Sequence, residues 1–250
     1  MEKNALFLEI CCGSAQDAIE AAKGGANRVE LNSDLFHGGL TPTLGSLLVT
    51  KRHIDLPVMC MVRPREGGFH YTDAEFEVML ADARVLLDNG ADGIVFGFLD
   101  EQGRVDVSRC QAMLQVIGER DSVFHRAIDV TPDAFEALDA LIALGVKRVL
   151  TSGQQSTVPQ GAQTIREMIR HAAGRIEILP GGGIDPFNAQ WCRNAIGTDM
   201  LHAGLHRVAY DLSCQNNPSI YFGGAIYPPE DRFLIADAEK IARLRANAEQ

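Results

Sequence analysis

Short apolar runs recur along the chain, and stretches with helical periodicity separate them. The runs cover residues 5–10, 28–31, 58–62, 93–96, 122–124, 148–150, 177–179 and 200–202. Apolar and polar residues do not alternate strictly within these runs, which is typical of a parallel sheet that helices cover on both faces. The pattern therefore predicts eight parallel strands joined by helical crossovers.

Helix signals in the connecting stretches support this prediction. Ser14 is suited to cap a helix that ends at Gly24. The stretch at residues 73–88 is rich in Ala, Leu, Val and Met, and the stretch at residues 133–144 follows a proline and stops at a glycine. A last helix is predicted at residues 231–247.

The even-numbered strands are all entered by one short pattern, in which a glycine and a two-residue turn precede the strand. The pattern begins at Gly25, Gly90, Gly145 and Gly197. A repeated unit of two strands and two helices, with eight strands in 250 residues, is typical of a (β/α)8 barrel. We therefore predict an α/β fold with one TIM-barrel domain over residues 1–250. An open doubly wound sheet is the weaker alternative, because no GxGxxG turn follows the first strand.

Two segments are longer than ordinary connections between a strand and a helix. One covers residues 32–41 after the second strand, and the other covers residues 205–230 as a long loop before the C-terminal helix. Long loops in compact domains are commonly functional or disordered. We expect the second segment either to fold over the mouth of the barrel as a lid or to contact a second subunit in a homo-oligomer such as a dimer.

Charge and cysteine content narrow the classes of function. The formal net charge is -10 and the basic residues are scattered, which argues against a nucleic-acid partner. The apolar runs are far shorter than the roughly 18 residues of a membrane span, and the N-terminus has no signal-peptide pattern. The six cysteines are too dispersed for a disulfide scaffold and fit a reducing compartment. We expect a cytoplasmic protein with no membrane partner.

Polar side chains follow the C-terminal ends of most of the predicted strands. They are Glu9, Glu30, Asn32, Arg63, Arg65, Asp100, His125, Arg126, Asp129, Thr151, Ser152 and His202. In a barrel these strand ends meet at one mouth, which is the usual place for catalytic and ligand-binding residues. A barrel mouth also meets water, so a polar rim of purely structural origin is the alternative.

Glu9 and Glu30 lie within otherwise apolar runs of neighbouring strands. A buried carboxylate must be paired, protonated or bound to a cation. Two close carboxylates could give one of them a raised pKa for acid-base chemistry, with His125 titrating near neutrality as their partner, or they could hold a divalent metal ion. The predicted catalytic set is Glu9, Glu30, His125, Arg126, Asp129 and His202.

A second group of residues suits a small ligand with an anionic group. Guanidinium groups such as those of Arg63 and Arg65 bind carboxylates and phosphates through paired hydrogen bonds, although pairing with nearby glutamates is the alternative. The glycine run after the seventh strand enters a helix and offers backbone N–H groups to an anion, although it could also be only a tight turn. The predicted anion-binding set is Arg63, Arg65, Thr151, Ser152, Gly181, Gly182, Gly183 and Gly204.

Six motifs in unbroken order resemble the CutC copper-homeostasis family. They are LEICC at residues 8–12, GANRVEL at 25–31, GGLTP at 38–42, VRPR at 62–65, FHRAID at 124–129 and VLTSG at 149–153. The resemblance implies a cytoplasmic TIM barrel with a role in copper homeostasis. It also implies Cu(I) binding through cysteines, for which Cys11, Cys12 and Cys60 are the thiols nearest the mouth.

Two functions therefore remain open from the sequence. One is copper handling, and the other is a barrel enzyme of lyase, isomerase or hydrolase type that acts on a small polar, sugar-like or phosphorylated compound, with or without a divalent metal. The chain departs from the family pattern at Gly181–Gly183 and directly after His202. Neighbouring residues of a strand point to opposite faces, so at most one of Cys11 and Cys12 can face the mouth.

Overall fold

Eight parallel strands form the centre of the protein in the computed structural model, which describes residues 5–224, 226 and 228–249. They are β1 Phe7–Cys12, β2 Arg28–Leu31, β3 Val58–Met61, β4 Gly93–Phe96, β5 Asp121–Phe124, β6 Arg148–Thr151, β7 Glu177–Pro180 and β8 Met200–Ala203. The strands pair in sequence order from β1 to β7, and β8 pairs with β1. A bridge between Gly181 and His202 brings β7 next to β8. The predicted (β/α)8 barrel is confirmed.

Helices connect the strands and cover the outside of the barrel. They are α1 Ala15–Lys23, α2 Leu44–His53, α3 Asp73–Asp88, α4 Val107–Ile117, α5 Ala134–Leu144, α6 Val158–Ala172, α7 Ala189–Ile196 and α8 Ala238–Ala248. Local chemistry sets several of their ends. The Ser14 hydroxyl accepts the N–H of Asp17 at 3.1 Å, and Gly145 ends α5 at a φ of 77°, where residues other than glycine are rarely found.

The inside of the barrel is part apolar and part ionic. Outward-facing strand residues pack with the helices in the main core, whereas Met59, Met61, Val95, Val123, Leu150 and Leu179 form a separate small cluster. Since side chains alternate along a strand, this second cluster fills the barrel interior. On β1, β2 and β8 the corresponding inward positions carry Glu9, Arg28 and His202 instead. The ionic half therefore lies where the first and last strands of the barrel meet.

The C-terminal segment differs from the prediction in one respect. The long loop is present, but it connects two strands of an antiparallel hairpin, β9 His206–Tyr210 and β10 Arg232–Ala236. The last helix therefore begins at Ala238, and its predicted start at residue 231 was wrong, because residues 232–236 pair with β9. The Asp17 carboxylate fixes the base of the hairpin by accepting the N–H of Ala236 at 2.8 Å. No helix within the described residues is long and apolar enough to cross a membrane.

Candidate functional site

A cavity of about 560 Å³ opens at the C-terminal ends of the strands, a size typical of small-molecule sites. The predicted residues that line it are Cys11, Glu30, Arg63, His125, Arg126, Asp129, Gly181, Gly182, Gly183, His202 and Gly204. Other predicted residues do not line it, namely Glu9, Arg65, Thr151, Ser152, Cys12 and Cys60. Within the described part of residues 205–230, His206 is the one residue at the cavity wall.

Glu9 is an ionised carboxylate that holds His202 in place. The strand register sets Glu9 opposite Arg28 on one side and His202 on the other. Its Oε2 accepts a hydrogen bond from Nε of Arg28, and its Oε1 lies 2.7 Å from Nδ1 of His202. Burial raises the pKa of Glu9, but the hydrogen bonds and charges of His202 and Arg28 outweigh it and hold the pKa well below its usual range. Glu9 is therefore not a carboxylic acid with a raised pKa.

Cys11, Glu30 and His202 form a compact cluster of potential metal ligands, with one ligand atom of each within 4.8 Å of the others. Cys11 Sγ lies 3.5 Å from Oε2 of Glu30, and Nε2 of His202 lies 3.9 Å from the same oxygen. Nδ2 of Asn32 donates to that oxygen at 3.0 Å. Because Glu9 engages Nδ1 of His202, its Nε2 is the nitrogen available to the cluster. The other oxygen of Glu30, Oε1, is buried without a hydrogen-bond partner in the described structure.

The three cysteines expected to bind Cu(I) do not come together. Cys11 faces the cavity, whereas Cys12 and Cys60 are fully buried in the main core between the strands and the helices. Leu31 lies in register between Cys12 and Cys60, so these two face the same outer layer. Burial raises the pKa of all three thiols above the usual value, to about 12 for Cys60, so location and not pKa separates Cys11 from the other two. These two thiols are structural, and Cys11 alone faces the mouth, as strand alternation requires.

His125 is a neutral hydrogen-bond donor. The backbone N–H of Ala127 donates to Nδ1 of the ring at 3.1 Å, so the ring carries its proton on Nε2. Burial and then the charge of Arg63 lower the pKa of His125 to about 3. The prediction that His125 titrates near neutrality is therefore wrong. Its Nε2 has no hydrogen-bond partner in the described structure. A Cβ on Gly97 would lie 2.3 Å from the ring, so only glycine admits the imidazole there.

Asp129, which was predicted to be catalytic, is the centre of a hydrogen-bond network that joins the loop after β5 to the end of β6. Its oxygens accept from Arg126 Nε at 2.8 Å, Thr151 Oγ1 at 2.5 Å, Ser152 N–H at 2.9 Å and Gln154 N–H at 3.2 Å. Arg126 also donates to the Ser152 hydroxyl at 2.6 Å. With this many donors, Asp129 positions Arg126, and both oxygens of its carboxylate are engaged.

The two arginines after β3 have different surroundings. Arg65 forms an ion pair with Glu75 at 2.5 Å and does not line the cavity. Pairing with a nearby glutamate, the alternative to anion binding, is therefore what the structure shows for Arg65. Arg63 lines the cavity, and its guanidinium donates to the carbonyl oxygens of His37, Gly39 and Gly67. Arg63 therefore holds the long segment after β2 against the loop after β3.

The glycine run after β7 lines the cavity beside Arg126. Gly182 and Gly183 have φ values of 123° and 70°, which other residues rarely adopt. The Gly182 carbonyl accepts the N–H of Val158 at 2.8 Å, which ties the turn to the start of α6. A Cβ on Gly182 would lie 3.3 Å from Nη1 of Arg126. An anion at this turn would therefore meet a guanidinium group.

Sequence reasoning missed three polar or aromatic residues of the site: Arg28, Phe69 and His206. Arg28 lies two positions before Glu30 on β2, and that period-two spacing was the available signal for a shared inward face. Phe69 stacks against His125 with ring centres 4.8 Å apart. His206 lies near Gly204 at the start of β9, and nothing in its local sequence marks it as part of the mouth.

Comparison with known proteins places these features in a family context. The CutC family model matches residues 6–206. A Treponema denticola protein named as a CutC family protein is 52% identical over 237 residues, which cover 95% of this chain and 96% of that protein. The human copper homeostasis protein cutC homolog is 38% identical, with 98% of this chain and 90% of that protein covered.

Solved structures show similarity at the level of the whole barrel. A CutC structure from Streptococcus agalactiae, assigned provisionally to copper homeostasis, has a TM-score of 0.76 and 30% identity. The similarity covers 79% of this chain and 98% of that one. A phosphoribosylanthranilate isomerase from Thermotoga maritima has a TM-score of 0.56 at 10% identity, with 98% of both chains covered. That second similarity concerns the fold alone.

Proposed function

Because the chain belongs to the CutC family, we propose that it binds copper at Cys11, Glu30 and His202 and serves copper homeostasis. The observation that carries this proposal is the compact cluster of the three ligand atoms at the mouth. A carboxylate that holds the second nitrogen of a metal-binding histidine is a common feature of metal centres, and Glu9 has this position relative to His202.

The chemistry of the donors fits a copper ion. Thiolate and imidazole both suit copper, and a carboxylate adds affinity for a divalent ion. The unpartnered buried oxygen of Glu30 is a further argument, since an uncompensated buried carboxylate atom is costly. The mixed set of one sulfur, one nitrogen and one oxygen ligand differs from the all-cysteine Cu(I) site implied by the resemblance. Cu(I) and Cu(II) should therefore both be tested.

We expect the Cys11→Ser variant to bind Cu(I) and Cu(II) more than about tenfold more weakly than the wild type, because it lacks the thiolate of the cluster. Glu9→Gln should bind copper about 10–100-fold more weakly, because His202 is no longer held in the orientation that ligates the metal. Competition with a chromophoric chelator, under reducing conditions for Cu(I), measures both affinities. Cys12→Ala is the matched control, since its thiol faces the outer layer, and it should bind as the wild type does. Unchanged affinity in Cys11→Ser would exclude this site.

The volume of the cavity favours a second proposed function, an enzyme. One metal ion occupies only a small part of about 560 Å³, whereas a small polar, sugar-like or phosphorylated compound would fill it. Glu30 and His202 would carry acid-base chemistry of lyase, isomerase or hydrolase type or hold a divalent metal ion, and His125 would donate a hydrogen bond to the ligand. The glycine run beside Arg126, together with Gly204, would bind a phosphate or other anionic group.

For the enzyme, we expect Glu30→Gln and His125→Asn to leave the fold intact and to abolish turnover. The melting temperature should stay the same or rise, because Glu30→Gln removes a buried negative charge and His125→Asn replaces a buried ring whose Nε2 lacks a partner among the described residues. Thermal unfolding followed by circular dichroism measures stability, and a screen of sugar-like and phosphorylated substrates measures turnover. If both variants unfold, these residues belong to a structural network and the enzyme proposal fails.

We also infer a cytoplasmic location and a homo-oligomeric state, such as a dimer. All six cysteines are free, which supports a reducing compartment. The hairpin exposes apolar side chains to solvent, namely Val208, Tyr210, Phe233 and Leu234. Exposed apolar patches commonly mark a surface that contacts another protein.

A further inference from the structure

Arg63 carries a buried positive charge with which no acidic side chain of the described residues forms an ion pair. It is only 6% exposed, and its guanidinium bonds are made to the carbonyl oxygens of His37, Gly39 and Gly67 at 2.9 to 3.0 Å. Within residues 5–224, 226 and 228–249, no carboxylate forms an ion pair with it, and its Nε has no hydrogen-bond partner. A buried charge without a counter-charge is destabilising, so an anionic ligand group would be favoured at this point of the cavity.

His125 adds a second unpartnered donor on the same wall. It is 4% exposed, and its Nε2 carries the ring proton because Nδ1 accepts the N–H of Ala127. The Phe69 ring contacts both side chains, with 4.8 Å between its centre and that of His125 and 5.5 Å to the guanidinium carbon of Arg63. Both side chains therefore contact the same aromatic ring.

Glu30 supplies an unpartnered acceptor to the cavity, and Nε2 of His206, another lining residue, is also buried without a partner among the described residues. Oε1 of Glu30 is buried without a hydrogen-bond partner among the described residues, and Glu30 lines the same cavity as Arg63 and His125. A ligand that satisfies all three groups must carry an anionic oxygen for the two donors and a hydroxyl group for Glu30. A phosphate has three acceptor oxygens and is better matched by the glycine run with Arg126.

We propose that Arg63 and His125 form a binding subsite for the carboxylate group of a small hydroxylated carboxylic acid, whose hydroxyl group donates to Glu30. The subsite deepens the proposed enzyme function by naming its substrate class. The carboxylate neutralises Arg63 and accepts the Nε2–H of His125. The remaining volume holds a molecule of the size of a sugar acid.

Ligand binding to the metal-free protein tests the subsite. The probes are sodium acetate, glycolate, lactate and gluconate, with sodium chloride, sorbitol and inorganic phosphate as comparisons, each followed by thermal shift and calorimetry. We expect the hydroxylated carboxylates to raise the melting temperature above the chloride value and to bind more tightly than acetate. The proposal fails if no carboxylate raises the melting temperature at concentrations up to about 100 mM, which is a hundred times a millimolar dissociation constant. It also fails if phosphate is the only probe that raises it.

Matched variants locate the binding. Arg63→Gln and His125→Gln should each weaken binding of the best carboxylate at least about tenfold, the loss of one charge-assisted hydrogen bond. Arg65→Gln is the control, because Arg65 pairs with Glu75 outside the cavity, and it should bind as the wild type does. Equal affinity in all three variants would overturn the proposal.

Arg63→Gln could weaken ligand binding indirectly, by loosening the segment after β2 that Arg63 holds. A measurement on the wild-type protein avoids this ambiguity. The Nε2–H resonance of His125 in a ¹⁵N-labelled sample should move on addition of the carboxylate and remain in place with chloride; an unmoved resonance under saturating carboxylate contradicts the subsite. Cys11→Ser should keep carboxylate binding, which separates this proposal from the copper site. Carboxylate binding without turnover of any carboxylate would support the subsite and contradict only the proposed enzyme function.

Discussion

Asp129→Ala should lower the free energy of unfolding by about 3–5 kcal/mol, because several hydrogen bonds to one charged acceptor are lost together. The donors left without a partner include the N–H groups of Ser152 and Gln154 and the hydroxyl of Thr151. Thr151 is fully buried, so water cannot replace the carboxylate freely. Urea unfolding followed by circular dichroism gives the difference.

Asp100→Ala is the matched control for this prediction. Asp100 also follows a barrel strand, and its carboxylate accepts the N–H groups of Gln102 at 2.9 Å and Arg104 at 2.8 Å in an exposed turn. The loss there should stay below about 1 kcal/mol, because water replaces the lost acceptor. If Asp129→Ala lowers the free energy of unfolding as little as Asp100→Ala does and also abolishes ligand binding, Asp129 acts on the ligand rather than on stability.

Arg28→Met should also destabilise the protein by about 3–5 kcal/mol, because it leaves the buried charge of Glu9 without its arginine partner, and only His202 remains beside it. Glu9 and Arg28 are 1% and 4% exposed, so solvent screens their interaction little. The double variant Glu9→Gln with Arg28→Met should recover most of the loss, since it removes the stranded charge as well. Free energies of unfolding of the wild type, both single variants and the double variant give the coupling energy.

Arg148→Met provides the comparison for this second prediction. Arg148 begins β6 as Arg28 begins β2, and it is equally buried, but its partners Asp121 and Glu177 have side chains that are 35% and 42% exposed. Water can solvate these carboxylates once the arginine is gone, so the loss should be clearly smaller than at Arg28. If both variants lower the free energy of unfolding equally, the loss comes from packing of the arginine side chains and not from the unpaired charge of Glu9.

Most of the barrel was predictable from the chain because its elements are marked locally. The glycine that ends α5 and the two-residue turn before β6 occur in the sequence as they do in the fold. The β9–β10 hairpin was not predicted, because its strands lie far apart in the sequence and no short turn signal joins them. Pairing over such a distance depends on contacts that a local pattern does not contain.

The site was predictable as a set of residues but not as a set of roles. Glu30, Arg63, His125 and His202, which the sequence places at strand ends, line one cavity in the structure. Which of them is free to bind a ligand depends on partners that come from elsewhere in the chain. Arg65 pairs with Glu75, whereas Arg63 pairs with no carboxylate in the part of the chain that the structure describes, and only the structure distinguishes the two arginines.

The sequence by itself determined the order of strands and helices, the mouth at which the polar residues gather, and the family to which the chain is similar. Only the tertiary structure decided that Cys11 faces Glu30 and His202 while Cys12 and Cys60 face the helices. The reason is physical. A parallel strand covered on both faces shows no alternation of apolar and polar residues, so its sequence does not reveal which side chains point inward. The register between β1 and β8, which lie at opposite ends of the barrel sequence, sets Glu9 beside His202. The hydrogen-bond partners of these side chains, and therefore their pKa values, follow from that register.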